Sequence, residues 1–175
     1  MQRSTIAFED FKILPHHLWQ NQWLLLTSGD FAAGHYNTMT VGWGSFGTMW
    51  SRPFAQVVVR PHRYTFEFME RYETFSLCAF PPTHHAALSL LGTKSGRDLD
   101  KVAQSGLTPV AAACIAAPTF AEAELVIECR KSYWQDMDPA HFLEPGTHKH
   151  YPKQDYHRVY FGEILAISGT SSYHT

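Results

Sequence analysis

The chain has 175 residues, of which 45% are hydrophobic, 14% aromatic and 17% charged. This length and composition predict one folded, turn-rich domain over residues 1–175 and exclude intrinsic disorder. The 14 basic and 16 acidic residues leave a net charge of −2. A nucleic-acid-binding surface requires a strongly basic balance, so we expect no nucleic-acid partner.

The cysteines and the N-terminal residues indicate the compartment. Cys78, Cys114 and Cys129 are far apart and odd in number, which predicts free thiols in a reducing cytoplasm. Acidic residues occupy positions 9–10, where a signal peptide would be apolar. The longest apolar runs, such as residues 23–26, are far shorter than a membrane span. We therefore expect a soluble cytoplasmic protein without membrane contacts.

Strand patterns dominate the chain. Short apolar or β-branched runs between turn residues predict strands at residues 23–27, 37–41, 54–60, 74–80, 122–131 and 156–167. Gly162 lies inside the last run and predicts a bulge or bend there. The alanine-rich residues 111–118 predict a connecting loop.

Helices are predicted between some of these strands. Thr65 is placed to cap a helix ending at Tyr72, and Thr83 to cap a second helix ending at Gly92. A third, short helix is predicted after Gly96. Many strands with few helices indicate a mainly β fold, an antiparallel barrel with peripheral helices.

Residues 37–47 combine hydroxyl side chains with a tryptophan between glycines. Glycine allows another backbone or a planar ligand to approach closely. Backbone groups here could bind the polar edge of a heterocycle, with Trp43 packed beside it. The alternative interpretation is a glycine-rich hairpin with a core tryptophan.

Two segments predict an anion site. Arg60, Arg63 and Thr65 lie at the end of a strand and the start of a helix, where free N–H groups and guanidinium donors suit a phosphate. Ser95 and Lys101 belong to a segment, residues 93–101, that again joins hydroxyl, glycine and basic residues to a helix start. This segment could close the other side of a phosphate. The alternatives are a surface turn and a solvated charged loop.

Metal and nucleophile chemistry is not supported. His148 and His150 form an H-x-H pair, which binds metal on cupin barrel strands, but Asp155 and Glu163 do not have the spacing of the glutamate that should follow. We expect no metal site, and a metal-binding cupin-like barrel is the weakest alternative. Nucleophile-elbow and Rossmann glycine motifs are absent from the sequence, so we predict no catalytic side chain and no dinucleotide fold.

Taken in order, the segments resemble the flavin reductase family, in its flavoredoxin-like branch. The similarity runs from about residue 11 to residue 167. The motifs that carry it are Asn37-Thr38-Met39-Thr40 with Trp43-Gly44, Val59-Arg60-Pro61 with Arg63-Tyr64-Thr65, Phe75-Ser76-Leu77, Ser95-Gly96-Arg97-Asp98 with Asp100-Lys101, and Tyr160-Phe161-Gly162-Glu163-Ile164.

The resemblance implies an FMN-binding split β-barrel that forms a homodimer, with the flavin near the subunit interface. It places the flavin ring against residues 37–44 and the phosphate near the two anion segments. Trp50 is a further candidate to frame the ring. The implied cofactor-binding residues are Asn37, Thr38, Met39, Thr40, Trp43, Gly44, Arg60, Arg63, Tyr64, Thr65, Ser95, Gly96 and Lys101.

The function implied by this resemblance is an NAD(P)H-dependent FMN reductase, in which NADH or NADPH donates hydride to the flavin. Electrons would then pass to free flavin, to a partner monooxygenase or to another acceptor. The alternative is a flavoredoxin-type FMN electron carrier without significant NAD(P)H activity.

Overall fold

A computed structural model gives the structure of residues 2–174. Within these residues, eight strands form one antiparallel sheet in the order β3-β2-β6-β9-β10-β5-β4, with β1 paired to β10. The strands are β1 (Ser4–Thr5), β2 (Leu24–Asp30), β3 (His35–Val41), β4 (Gly44–Met49), β5 (Arg52–Val59), β6 (Thr74–Ala79), β9 (Leu125–Asp136) and β10 (Arg158–Gly169), with β7 (Pro109–Val110) and β8 (Thr119–Phe120) as a separate pair. The predicted mainly β antiparallel architecture is confirmed.

The sheet curls into a barrel because its two end strands are consecutive in the chain. Only Gly42 and Trp43 connect β3 to β4. Side chains alternate across each strand, so Leu24 and Leu26 of β2 point into the barrel core while Leu25 packs outside against helix residues. The barrel therefore has one enclosed core and a second apolar layer beneath α3.

All six predicted strands are present, with different ends. The last strand begins at Arg158 instead of Tyr156 and continues to Gly169, because β9 and β10 pair along most of their length. The predicted irregularity at Gly162 is confirmed, since the β9–β10 register shifts between Phe161 and Gly162. Residues 111–118, predicted as a loop, lie outside helices and strands.

The helices are α1 (Pro15–His17), which continues as a π-helical turn (Leu18–Gln22), α2 (Tyr64–Arg71), α3 (His85–Thr93) and α4 (Lys101–Ser105). Short 3-10 turns lie at Phe8–Asp10, Pro82–His84, Pro139–His141, Pro145–His150 and Ser171–Tyr173. Within residues 2–174, no helix combines the length and apolar character that crossing a bilayer requires.

The predicted helix caps are wrong at Thr65 and Thr83. α2 has Arg63 as its N-cap residue without a side-chain cap, and Thr65 lies buried within the helix. Thr83 lies in the 3-10 turn before α3, and α3 ends at Thr93, one residue beyond Gly92. The short helix predicted after Gly96 is α4, capped by the Asp100 carboxylate, which accepts from the Ala103 N–H.

The connection between β9 and β10, residues 137–157, packs as an aromatic cluster. The ring centroids of Phe142, Tyr151 and Tyr156 lie 4.9 to 5.9 Å apart. The Arg60 guanidinium lies 5.0 Å from the Tyr151 ring centroid and ties the connection to the end of β5. This packing places His157, at the end of the connection, beside the β3–β4 junction.

Candidate functional site

A recess of about 180 Å³, here called the β3 cleft, opens where β3 ends. Its lining combines apolar side chains with two arginines, a histidine and a tryptophan. The lining residues are Met39, Thr40, Val41, Gly42, Trp43, Val58, Arg60, Arg63 and His157. A neighbouring recess of about 220 Å³ shares Thr40 and Gly42 and extends along α3. Together they form a continuous concave surface.

Trp43 forms one wall of the β3 cleft. Its side chain is 48% exposed, so it is not the core tryptophan of the hairpin interpretation; Trp19 is buried instead. The Trp43 ring lies 5.2 Å from the His157 ring and 5.6 Å from the His150 ring. A half-exposed indole held by two imidazoles offers a fixed apolar face to a planar ligand.

In the β3 cleft, Arg63 is the cation that still has guanidinium N–H groups available to a ligand. Its Nη1 donates to the carbonyl of Gly92 at 3.0 Å, which uses one of the five guanidinium N–H groups. Arg63 is also the N-cap residue of α2, whose first turn has no side-chain cap. Uncapped N–H groups beside a guanidinium are a suitable site for an anion.

The guanidinium of Arg60 is occupied by hydrogen bonds within the protein. Its Nη1 lies 3.0 and 3.2 Å from the two Asp155 carboxylate oxygens, and its Nη2 donates to the His150 carbonyl at 2.8 Å. Burial opposes ionisation of Asp155, but hydrogen bonds and the positive charge of Arg60 lower the pKa of this carboxyl. Arg60 therefore holds the β9–β10 connection against the cleft.

His157 was missed as a site residue by the sequence analysis. Its ring is 8% exposed, lines the β3 cleft and forms a 2.7 Å hydrogen bond with the Tyr151 hydroxyl through Nδ1. Burial, with a smaller contribution from the charge of Arg60, lowers the pKa of His157 to about 4. The imidazole is therefore neutral at pH 7. The sequence signal available was its place directly before the last strand.

A second recess, here called the α4 cleft, has a volume of about 500 Å³. Its lining includes four predicted site residues: Asn37, Tyr64, Gly96 and Lys101. The Asn37 amide donates to the Thr65 hydroxyl at 2.7 Å, and a Cβ added to Gly96 would lie 2.3 Å from the Asn37 Oδ1. The α4 cleft is thus closed at this corner by tight packing of the protein itself.

Lys101 is buried, with 4% exposure. Its Nζ donates to the carbonyls of Leu91 at 2.9 Å and Lys94 at 3.0 Å, which belong to the C-terminal end of α3. Burial lowers the pKa of Lys101 to about 8, and the nearby Arg63 charge acts in the same direction. Two of the three ammonium N–H groups are therefore used to cap α3.

Four other predicted residues line neither cleft. Thr38 is completely buried, and its hydroxyl accepts from the Thr27 hydroxyl at 2.9 Å and donates to the Leu26 carbonyl at 3.1 Å. Gly44 packs beneath the Trp19 ring. Thr65 is 1% exposed, and the Ser95 hydroxyl accepts from a backbone N–H of its own turn.

The histidine pair proposed for a cupin-like metal site is not on a barrel strand. His148 and His150 lie in the 3-10 turn Pro145–His150, where His148 packs against Phe142 and His150 against Trp43. Within residues 2–174, no group of three or more His, Cys, Asp or Glu residues is arranged to hold a metal ion.

Comparison with protein families gives one match. Residues 20–172 match the model described as the flavin reductase like domain. The chain belongs to the flavin reductase-like family. The resemblance deduced from the sequence is therefore confirmed, and the protein is a flavin-related oxidoreductase.

Solved structures with the same fold support this assignment. An FMN-binding domain of flavin reductase-like enzyme from Shewanella baltica is similar with TM-score 0.69 and 16% identity, over 96% of this chain and 77% of that chain. The flavoredoxin of Methanosarcina acetivorans is similar with TM-score 0.65 and 23% identity, over 88% and 71% of the two chains.

A third similar structure is an NADH:FAD oxidoreductase of Streptomyces globisporus, determined in complex with NAD and FAD fragments. It has TM-score 0.64 and 15% identity, over 87% of this chain and 77% of that chain. At these identities the similarity shows the fold, which is the split barrel predicted from the sequence. The comparison with curated proteins gave no significant match.

Proposed function

We propose that the protein binds FMN in the β3 cleft and oxidises a reduced nicotinamide, NADH or NADPH, at that flavin. The single observation that carries this proposal is the junction of Trp43 and Arg63 in one cleft of a flavin reductase-like barrel. Trp43 supplies an exposed aromatic face that suits the flavin ring. Arg63 supplies a cation with available N–H donors that suits the phosphate.

The residues present fit this cofactor. The apolar side chains of Met39 and Val58 and the bare backbone at Gly42 suit a planar ring system. Arg63 suits a phosphate group, because most of its guanidinium N–H groups remain available. The predicted phosphate residue Thr65 is buried in the first turn of α2 and does not line this cleft.

When bound, FMN would supply the redox chemistry, as an acceptor for the hydride of a reduced nicotinamide. The protein residues orient the reactants and set the electrostatic field. Arg63 places positive charge at the cleft, which favours a negative charge acquired there. Neutral His157 can donate or accept a hydrogen bond without adding charge. Hydride transfer needs no catalytic acid or base, in accord with the absence of a predicted catalytic side chain.

We further propose that the protein acts as a cytoplasmic homodimer and that free flavin, a monooxygenase or another acceptor removes the electrons. Exposed aromatic side chains support association, because large apolar surfaces tend to be interfaces. The α4 cleft is the less suitable flavin site, since its lysine is occupied by α3.

Stopped-flow mixing tests the proposal. FMN-loaded protein is mixed without oxygen with NADH or NADPH, and bleaching of the flavin absorbance is followed. We expect rapid bleaching with at least one donor, slowed by Trp43→Ala and unchanged by Leu143→Ala, which removes an apolar side chain that is 96% exposed outside the cleft.

The outcomes separate the two candidate functions. Bound FMN that is not bleached by either donor would instead indicate an electron carrier of the flavoredoxin type, a class to which two similar structures belong. A purified protein that binds no FMN would overturn both.

A further inference from the structure

The segment before β2 has two unusual backbone conformations. α1 continues as the π-helical turn Leu18–Gln22, a form that is rare in proteins and is found frequently at functional sites. The next residue, Trp23, has φ 64° and ψ 164°, a conformation that is strained for any residue other than glycine. Its indole packs on the His85 ring, with the ring centroids 4.3 Å apart. The turn thus holds its last residues against the start of α3.

A recess of about 250 Å³, here called the Gln22 recess, is lined by residues of this turn and of α3. Its apolar lining includes Phe80 and Leu88, and its polar lining includes two histidines, Gln22 and Glu124. Among the described residues, no lysine or arginine lines it, so Glu124 gives the lining a net negative charge when the histidines are neutral. The Gln22 recess is separate from the β3 cleft, since the two have no lining residue in common.

The orientation of the Gln22 amide is fixed by its neighbours. Its Nε2 lies 3.0 Å from the Phe80 carbonyl and 2.9 Å from the Tyr173 hydroxyl, and it also donates to Glu124 Oε1. Because a backbone carbonyl and a carboxylate only accept hydrogen bonds, the NH₂ group of the amide points toward them. Both amide hydrogens are therefore used within the protein, and the carbonyl oxygen Oε1 of Gln22 points elsewhere.

Glu124 is likewise bound through one oxygen only. Its Oε1 accepts from Gln22 and, at 2.5 Å, from the Tyr173 hydroxyl. Burial and this hydrogen bond raise the pKa of Tyr173, so the phenol keeps its proton and acts as the donor. Within residues 2–174, no hydrogen bond reaches Oε2 of Glu124 or Oε1 of Gln22. In the same part of the chain, the Trp19 indole N–H is the one buried side-chain polar atom without a partner, so these two oxygens are accessible.

These accessible acceptors define the chemistry of a ligand. An occupant of the recess meets two oxygens without donors, one of which belongs to a carboxylate. Arg3 does not neutralise this carboxylate from within the recess, since it lies outside the lining and donates to three backbone carbonyls between residues 120 and 123. A primary ammonium group brings several N–H donors and a positive charge, which suit both oxygens.

A metal ion is the less suitable occupant. It would need further ligands beside Glu124, but no group of three or more His, Cys, Asp or Glu residues in the described chain is arranged to hold one. The volume of about 250 Å³ is instead suited to a small organic molecule, because pockets for drug-sized ligands have roughly 300–1,000 Å³. The prolines at positions 81 and 82 offer apolar surface to its body.

We propose that the Gln22 recess is a binding site for a small primary amine with an apolar body. The ammonium group donates to Oε2 of Glu124 and Oε1 of Gln22, and the apolar body packs against Pro81 and Pro82. The site does not depend on the proposed function, because FMN is assigned to a different cleft.

Three probes of nearly the same shape test the ligand class: benzylamine is the cation, benzyl alcohol the neutral counterpart and benzoate the anion. Each is titrated by isothermal titration calorimetry into the protein with and without saturating FMN. We expect saturable binding of benzylamine, with a dissociation constant on the order of a millimolar, about tenfold or more tighter than for the alcohol. Benzoate should not bind, and added FMN should leave the affinity for benzylamine unchanged.

Two variants test the location. Glu124→Gln removes the charge and keeps the side-chain shape, whereas Asn21→Trp fills the recess from an exposed lining position. The matched control is Glu73→Gln, which removes an exposed carboxylate outside the recess. We expect the affinity for benzylamine to fall by roughly tenfold to a hundredfold in Glu124→Gln, to be lost in Asn21→Trp and to stay parental in Glu73→Gln. Circular dichroism confirms folding, and Asn21→Trp decides the location if Glu124→Gln does not fold.

A parent protein without saturable benzylamine binding would refute the site. Benzyl alcohol or benzoate that binds as tightly as benzylamine would overturn the recognition of an ammonium group. Parental affinity in a folded Glu124→Gln or Asn21→Trp protein would show that the amine binds elsewhere. A parent that binds benzylamine in the recess but binds no FMN would refute the proposed function and leave this inference standing.

Discussion

The β3 cleft and the α4 cleft contain the same kinds of residue and differ in what those residues are free to do. In the β3 cleft, Arg63 donates one hydrogen bond to the Gly92 carbonyl, and Trp43 is half exposed. In the α4 cleft, Lys101 is buried and donates two hydrogen bonds to backbone carbonyls at the end of α3. Basic and hydroxyl residues near helix starts thus predict where polar groups gather, whereas the tertiary structure decides which of them remain available to a ligand.

The largest expected effect concerns Lys101. Lys101→Ala should lower the free energy of unfolding by about 3 kcal/mol, because it leaves two carbonyls unpaired and a gap beneath α3. The melting temperature should fall by roughly 6 to 12 °C. Thermal denaturation checks this, with the exposed Lys94→Ala as the matched control. A Lys101→Ala protein with parental stability that loses affinity for FMN alone would show that the lysine serves the phosphate instead.

The next effect is a pH dependence at the wall of the β3 cleft. The folded pKa of His157, about 4, is below its usual 6.5, so the unfolded chain binds the extra proton between these values. Stability from this group is complete above pH 6.5 and is lost as the pH falls toward 4, on the order of 3 kcal/mol in all. Urea denaturation of the parent and His157→Gln across this range measures it. Equal pH slopes for the two proteins would contradict the buried neutral imidazole.

The smallest effect is expected at the rim of the α4 cleft. Arg97 pairs with Glu67 at 2.5 Å, but both side chains are substantially exposed. Arg97→Ala should change stability by no more than about 0.5 kcal/mol and leave FMN affinity unaltered. Denaturant titration and FMN titration check both quantities. A tenfold loss of FMN affinity in this variant would move the flavin site toward the α4 cleft.

Much of the fold could be predicted from the sequence because strand signals are local. Alternating apolar runs and a glycine inside the last strand were sufficient to place β2, β10 and the irregularity at Gly162. β4 was not among the predicted strands, since Gly44 and Gly47 interrupt its pattern. The caps at Thr65 and Thr83 could not be predicted correctly, because tertiary packing buries one threonine and places the other in a 3-10 turn.

The site was predictable in residue types but not in their arrangement. Met39, Thr40, Trp43, Arg60 and Arg63 do line one cleft. Sequence spacing could not show that the Lys101 ammonium is bound by carbonyls at the end of α3. Nor could it show that the Ser95 hydroxyl accepts a hydrogen bond within its own turn. His157 enters the cleft through the long-range packing of residues 137–157, and its place directly before the last strand was the local signal available. Trp50 frames no cleft in its own subunit.

The most direct test of the account is the affinity of Arg63→Ala for FMN and for riboflavin, which lacks the phosphate. If Arg63 is the available cation, FMN binding should weaken by roughly tenfold to a hundredfold, equivalent to about 1.5 to 3 kcal/mol, while riboflavin binding stays the same. The dissociation constants are measured by flavin fluorescence in parent and variant. Unchanged FMN affinity, or an equal loss for both flavins, would contradict the assignment of the phosphate to Arg63 in the β3 cleft.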